Sequence, residues 1–462
     1  MKKLKELIDI DLDIEINGIT DDSREVKEGY IFVATKGYNV DHYDYIDDAI
    51  KRGASFIVSD REIEKDFPHV IVDKIDEYYK NLCIKFYDID LSKHKFIGIT
   101  GTDGKTTTAT IINRLIDNSS YIGTNGLTIN DKNYSTNNTT PCISELYKDL
   151  NIIEKNNSST TVMEVSSEAL LHNRVDNFKF DVVVFTNITG DHLSVHGSFE
   201  NYKKSKLKLL DLVCKDGYVV VNGDDDNLKG IKHGNLYTFG FNDDNHFTIT
   251  NVNYMSKSVL IDVKYEDKTI SIESPLKGKY NVYNVVASYI VGYLLGIDIS
   301  LLVRKIKELR PIKGRCEFLN FNQDFDIVLD YAHTINGIKS ILETFSDYKN
   351  IITVTGCAGG RDHDKRSIIG DLVINNSNVS IFTMDDPRYE DVDNIIDEMV
   401  GNHKNYIRII DREEAINYAL SIATPNSVVL ILGKGRDNYM AIRDKKFKYN
   451  DYDVIKKYFS KS

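Results

Sequence analysis

The chain has 462 residues and a formal net charge of −12, with 41% hydrophobic and 28% charged residues. At roughly 150 residues per domain, this length predicts about three domains, each with a buried core. The acidic charge disfavours a nucleic-acid partner, because phosphate backbones require clustered lysine and arginine. Five scattered cysteines predict neither a disulfide framework nor a zinc site. No uncharged apolar run reaches the length of a membrane span, so we expect a cytoplasmic protein without membrane insertion.

The first predicted domain, residues 1–88, has the pattern of a small α/β domain. Apolar segments at 31–34 and 55–58 predict short buried strands. Residues 46–51, between them, predict a helix. The order strand, helix, strand is typical of an α/β fold.

The second predicted domain, residues 89–309, opens with a candidate phosphate-binding loop. The run Gly101-Thr-Asp-Gly-Lys-Thr106 lies between an apolar strand at 95–100 and a helical pattern. A helix N-terminus offers N–H groups and the positive end of a dipole to an anion. The two glycines let the backbone approach a phosphate, the lysine can reach its oxygens, and a threonine hydroxyl can bind Mg²⁺. The alternative is an ordinary strand-to-helix turn. The residues predicted to hold a nucleoside triphosphate and its magnesium are Gly101, Thr102, Gly104, Lys105, Thr106 and Thr107.

The remainder of this domain predicts a P-loop ATPase-like parallel sheet with antiparallel strands at its edge. Apolar strands alternate with helical stretches at 160–164, 181–186 and 217–222, which is typical of parallel strands with crossover helices. Alternating polar and apolar residues then predict antiparallel strands at 247–250, 258–262 and 269–272.

Four residues of this domain are candidates for metal or phosphate chemistry. Glu164 ends one apolar strand, and Asp191 and His192 follow the next. Such groups near one phosphate loop favour Mg²⁺ chemistry, and the alternatives are a helix cap and an ordinary loop histidine. Lys206 lies in a helical run with other lysines, and periodicity alone does not separate it from a solvated helix face.

The third predicted domain, residues 310–462, has the rhythm of a Rossmann-like doubly wound sheet. Its apolar strands are predicted at 326–330, 350–355, 379–383, 406–410 and 427–432. Each strand precedes a polar turn and a helical pattern, and ligands of such sheets bind at the C-terminal ends of the strands.

Charged turns after three of these strands, at 356–366, 385–388 and 433–437, suit a zwitterionic ligand. Guanidinium groups pair with carboxylates, and carboxylates pair with an ammonium group. The alternative is a set of ordinary polar loops.

A series of short motifs runs in order through nearly the whole chain. These motifs are Asp22-Ser-Arg24, Gly29-Tyr-Ile-Phe-Val-Ala34, Asp41-His-Tyr43, Gly101-Thr-Asp-Gly-Lys-Thr106, Asn138-Thr-Thr-Pro141, Met163-Glu-Val-Ser-Ser167, Arg174-Val175, Thr186-Asn187, Asp191-His192, Leu276-Lys-Gly-Lys-Tyr-Asn-Val-Tyr-Asn284, Gly314-Arg-Cys-Glu317 and Asp330-Tyr-Ala-His333. Together they resemble the Mur ligase family, and within it the UDP-N-acetylmuramoyl-tripeptide synthetases. So many ordered motifs are far more specific than any one of them.

The resemblance implies three α/β domains, the first of them UDP-binding, and an ATP-dependent, ADP-forming acid–amino-acid ligase of peptidoglycan precursor synthesis. The implied reaction adds meso-diaminopimelate to UDP-N-acetylmuramoyl-L-alanyl-D-glutamate through an acyl phosphate. The implied partners are this UDP-muramoyl dipeptide, ATP and a diamino acid. The implied cofactors are Mg²⁺ and a carbamate on Lys206, and we expect a monomer.

The resemblance also assigns roles to individual residues. The expected catalytic groups are Lys105, Glu164, His192 and Lys206. The expected metal-site groups are Thr106, Glu164, His192 and Lys206 as its carbamate. The expected contacts to the adenine, phosphate and ribose of ATP are Asn284, Arg315 and Asp330. The expected contacts to the UDP-muramoyl dipeptide are Ser23 at the uridine end and Thr139, Thr140, Ser166 and Arg174 at the peptide end.

The incoming amino acid is expected at a further set of positions, which are Arg361, Asp385, Asp386, Arg388, Gly433 and Asp437. Arg388 favours meso-diaminopimelate, because its guanidinium can pair with the carboxylate that lysine lacks. Departures from the family pattern are Asp103 and Asp386 (usually Asn), Asp437 (usually Glu), Glu168 (commonly His) and Gly190 (commonly Arg). The alternatives are a lysine-adding or folylpolyglutamate-type ligase of the same family, and a nucleotide-binding homologue without activity.

Overall fold

The computed structural model describes residues 1–37, 40–130, 132–190, 193–255 and 258–460. The chain divides into two compact units. The first comprises Met1–Ile97 with Asn118–Phe180, and the second comprises Gly98–Asp117 with Asp181–Ser462. The expected α/β class with parallel sheets is confirmed. The domain boundaries after residues 88 and 309 stay predictions.

Strands and helices alternate through much of the chain. The strands are β1 (Lys2–Lys3), β2 (Glu15–Ile16), β3 (Gly18–Thr20), β4 (Tyr30–Ala34), β5 (Ala54–Ser59), β6 (His69–Ile71), β7 (Lys95–Thr100), β8 (Ser119–Gly123), β9 (Gly126–Ile129), β10 (Lys132–Tyr134), β11 (Thr160–Glu164), β12 (Phe180–Phe185), β13 (Val213–Asn222), β14 (Leu236–Gly240), β15 (Phe247–Tyr254), β16 (Val259–Tyr265), β17 (Lys268–Ser274), β18 (Glu317–Leu319), β19 (Asp326–Asp330), β20 (Asn350–Thr355), β21 (Val379–Phe382), β22 (Ile407–Arg408), β23 (Ser427–Leu432), β24 (Tyr439–Ile442) and β25 (Lys445–Lys448).

The helices vary from one turn to sixteen residues. They are α1 (Leu4–Leu7), α2 (Ile46–Lys51), α3 (Ile75–Tyr87), α4 (Lys105–Leu115), α5 (Ile143–Lys155), α6 (Ser167–Leu171), α7 (Leu193–His196), α8 (Phe199–Leu207), α9 (Lys279–Leu294), α10 (Ile299–Lys307), α11 (Ile335–Thr344), α12 (Asp364–Asn376), α13 (Val392–Val400), α14 (Arg412–Ile422) and α15 (Asp451–Ser460). Across the described ranges, no helix combines the length and the apolar character needed to cross a membrane.

A parallel sheet with the order β3-β4-β5-β6 forms the N-terminal part of the first unit. Helix α2 follows β4, precedes β5 and packs against both. Phe32 and Ile57 of the strands share a buried core with Ile46 and Ala49 of the helix. The predicted order strand, helix, strand is confirmed, with the helix at the predicted residues.

The first unit also holds strands in the order β10-β9-β8-β11. Strands β8 and β11 are parallel, with Thr160 opposite Ser119. Strand β9 pairs antiparallel with β8 on one side and with β10 on the other. The sequence pattern predicts β11 at its observed bounds but not β8, β9 or β10. The three residues of β10 are all exposed and carry no apolar pattern.

In the second unit, β13, β14 and β15 pair in parallel, and β15, β16 and β17 pair antiparallel. The predicted antiparallel edge is therefore confirmed. Strand β14 has no counterpart in the sequence analysis, since its first three residues are only half-buried. Helix α9 packs against α4, which brings the Leu276–Asn284 motif to the predicted phosphate loop.

The C-terminal part of the second unit is a six-stranded sheet with the order β18-β19-β23-β20-β21-β22. The five strands from β19 to β22 in this order are parallel, and β18 pairs antiparallel with β19 at the edge of the sheet. Apolar side chains of α11, α12 and α13 pack in one core, and those of α14 and α15 pack in another. The predicted doubly wound sheet is confirmed, and its charged turns follow β20, β21 and β23.

Candidate active site

The predicted phosphate loop joins β7 to α4 through two glycines with positive φ. Gly104, the N-cap residue of α4, has φ +84°, and a Cβ there would lie 2.5 Å from Oδ1 of Asn284. A Cβ at Gly101 would lie 1.9 Å from Oγ1 of Thr186. Both positions therefore require glycine. The loop ends at a helix N-terminus, which is the arrangement that binds phosphate groups.

Lys105 folds back over this loop. Its Nζ donates hydrogen bonds to the carbonyl oxygens of Gly101 and Thr102, each at 2.8 Å. The Thr102 hydroxyl is itself fixed, at 3.0 Å from the carbonyl oxygen of Thr189 and 2.9 Å from the hydroxyl of Tyr202. The ammonium group is thus held beside the helix N-terminus, where it can pair with phosphate oxygens.

The residues that follow β12 support the other side of the loop. The Thr186 hydroxyl donates to the carbonyl oxygen of Asp103 at 2.6 Å. The Asn187 side chain accepts from the Asp103 N–H at 2.9 Å and donates to its carbonyl oxygen at 3.1 Å. The Asp103 carboxylate accepts from the Thr334 hydroxyl at 3.0 Å. The Thr186-Asn187 motif therefore shapes the loop, a role that the sequence pattern does not reveal.

Two residues expected at ATP lie against helix α4. The Arg315 guanidinium donates to Oγ1 of Thr106 at 2.9 Å. Oδ1 of Asn284 accepts from the hydroxyl of Thr108 at 3.1 Å. Thr106 and Thr107 are both buried in the first turn of the helix. The structure thus brings Arg315 and Asn284 to the phosphate loop from segments about two hundred residues away in sequence.

Asp330, expected at the ribose, organises a turn in this structure. Its Oδ2 accepts from the N–H of Cys316 at 2.6 Å, and its Oδ1 accepts from the N–H of Ala332 at 2.7 Å. Burial raises the pKa of Asp330, and the nearby Arg315 opposes that rise. The carboxylate therefore ties the Arg315 loop to the end of β19, and its contact with a ribose stays a prediction.

Lys206 is distinguished from its neighbouring lysines by burial. It is 1% exposed, whereas Lys204 and Lys208 are exposed to solvent. Its Nζ donates to the carbonyl oxygen of Gly101 at 2.7 Å and lies 4.7 Å from the ring centroid of Tyr202. Lys206 therefore points from α8 to the phosphate loop and does not lie on a solvated helix face.

In the first unit, Glu164 is the centre of a polar cluster at the end of β11. The Tyr121 hydroxyl and the Thr124 N–H donate to Oε1, the latter at 3.0 Å. The Thr124 hydroxyl lies 3.2 Å from Oε2 and 3.1 Å from the hydroxyl of Thr139. Tyr121 and Thr124 are absent from the sequence prediction, although Thr124 lies in a turn between Gly123 and Gly126.

Three residues expected at the dipeptide lie beside this cluster. The Thr140 hydroxyl donates to the carbonyl oxygen of Glu164 at 2.8 Å and accepts from the N–H of Ser166 at 3.0 Å. The Arg174 guanidinium donates to the carbonyl oxygen of Thr140 at 3.1 Å. Ser23, expected at the uridine, is buried in the N-terminal part of the unit and donates to Oδ2 of Asp48 at 2.8 Å.

The expected metal-site groups are only partly described. His192 and its neighbour Asp191 lie outside the described residues. Glu164 belongs to the first unit, whereas Thr106 and Lys206 belong to the second. A threonine hydroxyl and a carboxylate are the hard oxygen donors that Mg²⁺ prefers, so Thr106 and Glu164 are chemically suited to it, whereas Lys206 would be suited only as its carbamate.

The turns after β21 and β23 surround a buried lysine with carboxylates. Lys434 is 1% exposed, and its Nζ lies 2.8 Å from Asp386, 3.6 Å from Asp437 and 3.8 Å from Asp385. Burial raises the pKa of Asp437 to about 6, with Lys434 opposing the rise and Asp385 and Asp386 adding to it. Lys434 is missing from the sequence prediction, although it stands inside one of the charged turns.

Arg361 and Arg388 form the cationic side of the same region. Burial lowers the pKa of Arg388, and the neighbouring charge of Arg361 lowers it further. Gly433 has φ +107°, and a Cβ there would lie 2.3 Å from Oδ2 of Asp385. The structure therefore brings all six residues expected at the amino acid onto the C-terminal edge of one sheet, as the topology predicts.

Three family models match the chain. The model described as "Mur ligase family, catalytic domain" matches residues 15–85, "Mur ligase middle domain" matches residues 99–292, and "Mur ligase, glutamate ligase domain" matches residues 314–435.

Individual relatives match over nearly the full length. The UDP-N-acetylmuramoyl-L-alanyl-D-glutamate–2,6-diaminopimelate ligase of Bacillus cereus is 34% identical, covering 96% of this chain and 94% of the relative. Ligase 1 of that name from Clostridium acetobutylicum is also 34% identical, covering 98% and 96%. A solved structure with the same enzyme name is 25% identical with a TM-score of 0.65, covering 100% of this chain and 99% of that one.

Proposed function

The chain belongs to the Mur ligase family, and we propose that it adds meso-diaminopimelate to UDP-N-acetylmuramoyl-L-alanyl-D-glutamate. Members of this family are ATP-dependent, ADP-forming ligases, and this chain is one of them. The observation that carries the choice of amino acid is the neighbouring pair of Arg361 and Arg388, on turns after two adjacent strands of the sheet that also bears Asp385 and Asp437. This combination suits a zwitterion that carries an additional carboxylate.

The reaction begins by making an inert carboxylate reactive. The γ-phosphoryl group of ATP moves to the D-glutamate γ-carboxylate, which yields ADP and an acyl phosphate. The amino group of the diamino acid then attacks the acyl carbon, a C–N bond forms, and inorganic phosphate leaves with the C–O bond electrons while the nitrogen loses a proton. Lys105 and the N–H groups at the start of α4 neutralise the phosphate oxygens during the first step.

The muramoyl dipeptide is assigned to the polar cluster of the first unit. Thr139, Thr140, Ser166 and Arg174 present hydroxyl and guanidinium donors within one connected hydrogen-bond network. Such donors match the carboxylate and amide oxygens of a peptide. Ser23 is assigned to the uridine end.

Magnesium and a lysine carbamate complete the proposal. Thr106, Glu164, His192 and a carbamate on Lys206 would hold Mg²⁺, which supplies positive charge to the transferring phosphoryl group when bound. CO₂ adds only to a neutral amine, so the proposal requires the buried Lys206 to lose its proton before it reacts. A carbonyl signal in ¹³C NMR after addition of ¹³C-bicarbonate, absent in Lys206→Arg, would establish the carbamate.

A lysine-adding ligase is the second candidate. Asp385, Asp386 and Asp437 all lie within 3.8 Å of the buried Lys434 ammonium group. This excess of carboxylates suits a ligand with a net positive charge, and lysine, with two ammonium groups and one carboxylate, has one. A folylpolyglutamate-type ligase and a homologue without activity have no comparable support in the site. The monomeric state and the cytoplasmic location stay predictions.

Parallel assays with meso-diaminopimelate and lysine test the proposal. Phosphate release is measured with UDP-N-acetylmuramoyl-L-alanyl-D-glutamate, Mg²⁺-ATP and each amino acid in turn. We expect turnover with meso-diaminopimelate, and we expect Arg388→Ala to raise its KM by about tenfold or more through loss of a charge-assisted pair. Preferential use of lysine, with no effect of Arg388→Ala, would assign the chain to the second candidate.

A further inference from the structure

The turn that carries Arg388 has an unusual backbone. Asp386 has φ +42° and Arg388 has φ +52°, so two residues with side chains lie in the left-handed region within three positions. This conformation is unfavourable for residues other than glycine, and it persists only where surrounding contacts enforce it. The contacts of this turn therefore decide where the Arg388 guanidinium points.

One carboxylate oxygen makes the central contact. Oδ1 of Asp386 accepts from Nζ of Lys434 at 2.8 Å and from the N–H of Ala441 at 2.8 Å. The backbone of Arg388 extends this attachment, because its N–H donates to the carbonyl oxygen of Ala441 at 3.1 Å and its own carbonyl accepts from Arg443 at 2.7 Å. The turn is thereby fastened to β24.

Lys434 needs this partner. It is 1% exposed, and an ammonium group buried to this extent is costly unless it is paired and hydrogen-bonded. Asp385 and Asp437 lie at 3.8 Å and 3.6 Å, beyond hydrogen-bond distance, so Asp386 provides the short contact. The carboxylate of Asp386 is thus engaged within the protein.

The geometry points to Asp386 as a positioning residue that, through Lys434 and the Ala441 amide, holds Arg388 ready for the additional carboxylate of the diamino acid. Asp437, at the rim of the same cluster, is left to face the substrate's ammonium group. This inference deepens the proposed function and rests on it. It also reassigns Asp386, which the family resemblance places among the residues that contact the amino acid.

Substitution with asparagine separates positioning from direct binding. Asparagine keeps the Oδ1 acceptor that receives both Lys434 and Ala441, but it loses the negative charge that would attract a substrate ammonium group. Alanine loses both. A positioning role therefore predicts that Asp386→Asn resembles the wild type, because Asp385 and Asp437 still balance the charge of Lys434. Direct pairing of the Asp386 carboxylate with a substrate ammonium group predicts instead that Asp386→Asn resembles Asp386→Ala.

Steady-state kinetics with varied meso-diaminopimelate provide the test. We expect Asp386→Asn to keep KM within about threefold of the wild type, and Asp386→Ala to raise it about tenfold or more. The KM for ATP should change by less than about twofold in both variants, because the phosphate loop is untouched. We expect Lys434→Met to raise KM for the amino acid, and Asp386→Ala to add little to it in the double variant.

A matched control is the exposed pair of Glu413 and Lys457, with Nζ and Oε1 2.6 Å apart on the same part of the chain. Glu413→Ala and Lys457→Met should leave every KM unchanged. A KM for Asp386→Asn as high as that of Asp386→Ala, or additive effects of Asp386→Ala and Lys434→Met, would overturn the inference.

Failure of the proposed function would be recognised separately. If the wild type releases no phosphate with any diamino acid, the proposed function fails, and the coupling of Asp386 to Lys434 is tested by thermal unfolding of the same variants. A double variant that melts close to the less stable single variant supports this coupling, whereas additive losses overturn it.

Discussion

At the scale of single residues, burial separates functional groups from chemically identical neighbours. Lys206 and Lys434 are each 1% exposed, and both lie in short runs that contain other cationic residues. Each ammonium group makes a short hydrogen bond, Lys206 to the carbonyl oxygen of Gly101 and Lys434 to Asp386. The chemistry of this site therefore depends on individual side chains whose surroundings differ from those of adjacent residues.

Lys105→Ala should abolish most of the ligase activity. The ammonium group is held at the loop by two carbonyl oxygens 2.8 Å away, and alanine removes the positive charge that neutralises the transferred phosphoryl group. We expect kcat to fall by about 10²–10³-fold, as for other losses of transition-state charge stabilisation. Phosphate release measures this effect, and the exposed Lys204→Ala is the control. Unchanged turnover in Lys105→Ala would contradict the assignment of the loop.

The affinity for the amino acid should depend on the ionisation of Asp437. Burial raises the pKa of Asp437 to about 6; Lys434 and Arg315 oppose the rise, and Asp385 and Asp386 add to it. The carboxylate is charged above this pKa and neutral below it, so KM for the amino acid should rise as the pH falls through about 6. Asp437→Asn should remove this pH dependence and give a high KM at every pH. If KM of Asp437→Asn still rises as the pH falls, a different group is responsible for the rise.

At the scale of elements, helix ends and strand ends carry most of the polar contacts. Ser166 caps α6 through the N–H of Ala169, and Thr334 caps α11 through the N–H of Gly337. Thr334 also donates to the Asp103 carboxylate of the phosphate loop. One side chain can thus end an element and take part in the site, because a cap hydroxyl has both a donor and an acceptor function.

Asp149→Asn should stabilise the protein at alkaline pH. This residue is buried on α5, and its Oδ2 has no hydrogen-bond partner among the described residues. Burial raises the pKa of Asp149 to about 7, with Glu145 adding to the rise and Lys148 opposing it. Because the folded-state pKa is raised, the protonated carboxyl makes its full contribution to the free energy of unfolding below the unfolded-state pKa. This contribution is lost as the pH rises through about 7.

Asparagine is neutral at every pH and avoids this loss. We expect no gain in the free energy of unfolding near pH ~4 and a gain of about 2–4 kcal/mol near pH ~8. Urea unfolding at the two pH values measures the difference, with the exposed Asp76→Asn of α3 as the control. A gain of equal size at both pH values would show that ionisation of Asp149 is not its cause.

At the scale of the whole molecule, the proposed nucleotide site is assembled from segments that are distant in sequence. The loop at residues 101–106, Asn284 and Arg315 belong to one compact unit, although its sequence is interrupted between residues 117 and 181. Ligands that bind only the folded state raise its stability by an amount that grows with the logarithm of the ligand concentration divided by Kd. Binding at such a composite site should therefore be visible in global unfolding.

Mg²⁺-ATP should raise the melting temperature of the wild type. At a concentration near one hundred times Kd, the expected stabilisation is about 2.7 kcal/mol. Lys105→Ala should reduce the shift, because the loop loses its ammonium group. Differential scanning fluorimetry with ATP in excess EDTA supplies the control for the magnesium requirement. A shift of the same size in Lys105→Ala would place the nucleotide elsewhere on the molecule.

The phosphate loop and the doubly wound C-terminal sheet could be predicted from sequence because their signals are local. Glycine, lysine and threonine stand between a strand and a helix within a dozen residues, and the strands at 326–330, 350–355 and 427–432 have the predicted bounds. Strands β10 and β14 escaped prediction because their residues are polar or half-buried. Short strands of this kind are stabilised by pairing with neighbours, which a local pattern does not record.

The family and the α/β class could be recognised from the amino-acid sequence, and the phosphate loop and the amino-acid turns could be proposed from it, since each depends on residues adjacent in the chain. The burial of Lys206 at Gly101, the contact of Arg315 with Thr106 and the pairing of Asp386 with Lys434 are visible only in the folded molecule. These facts depend on burial and on distances between segments 48 to 209 residues apart. Because exposure and long-range pairing arise only when the chain folds, composition and periodicity do not contain them.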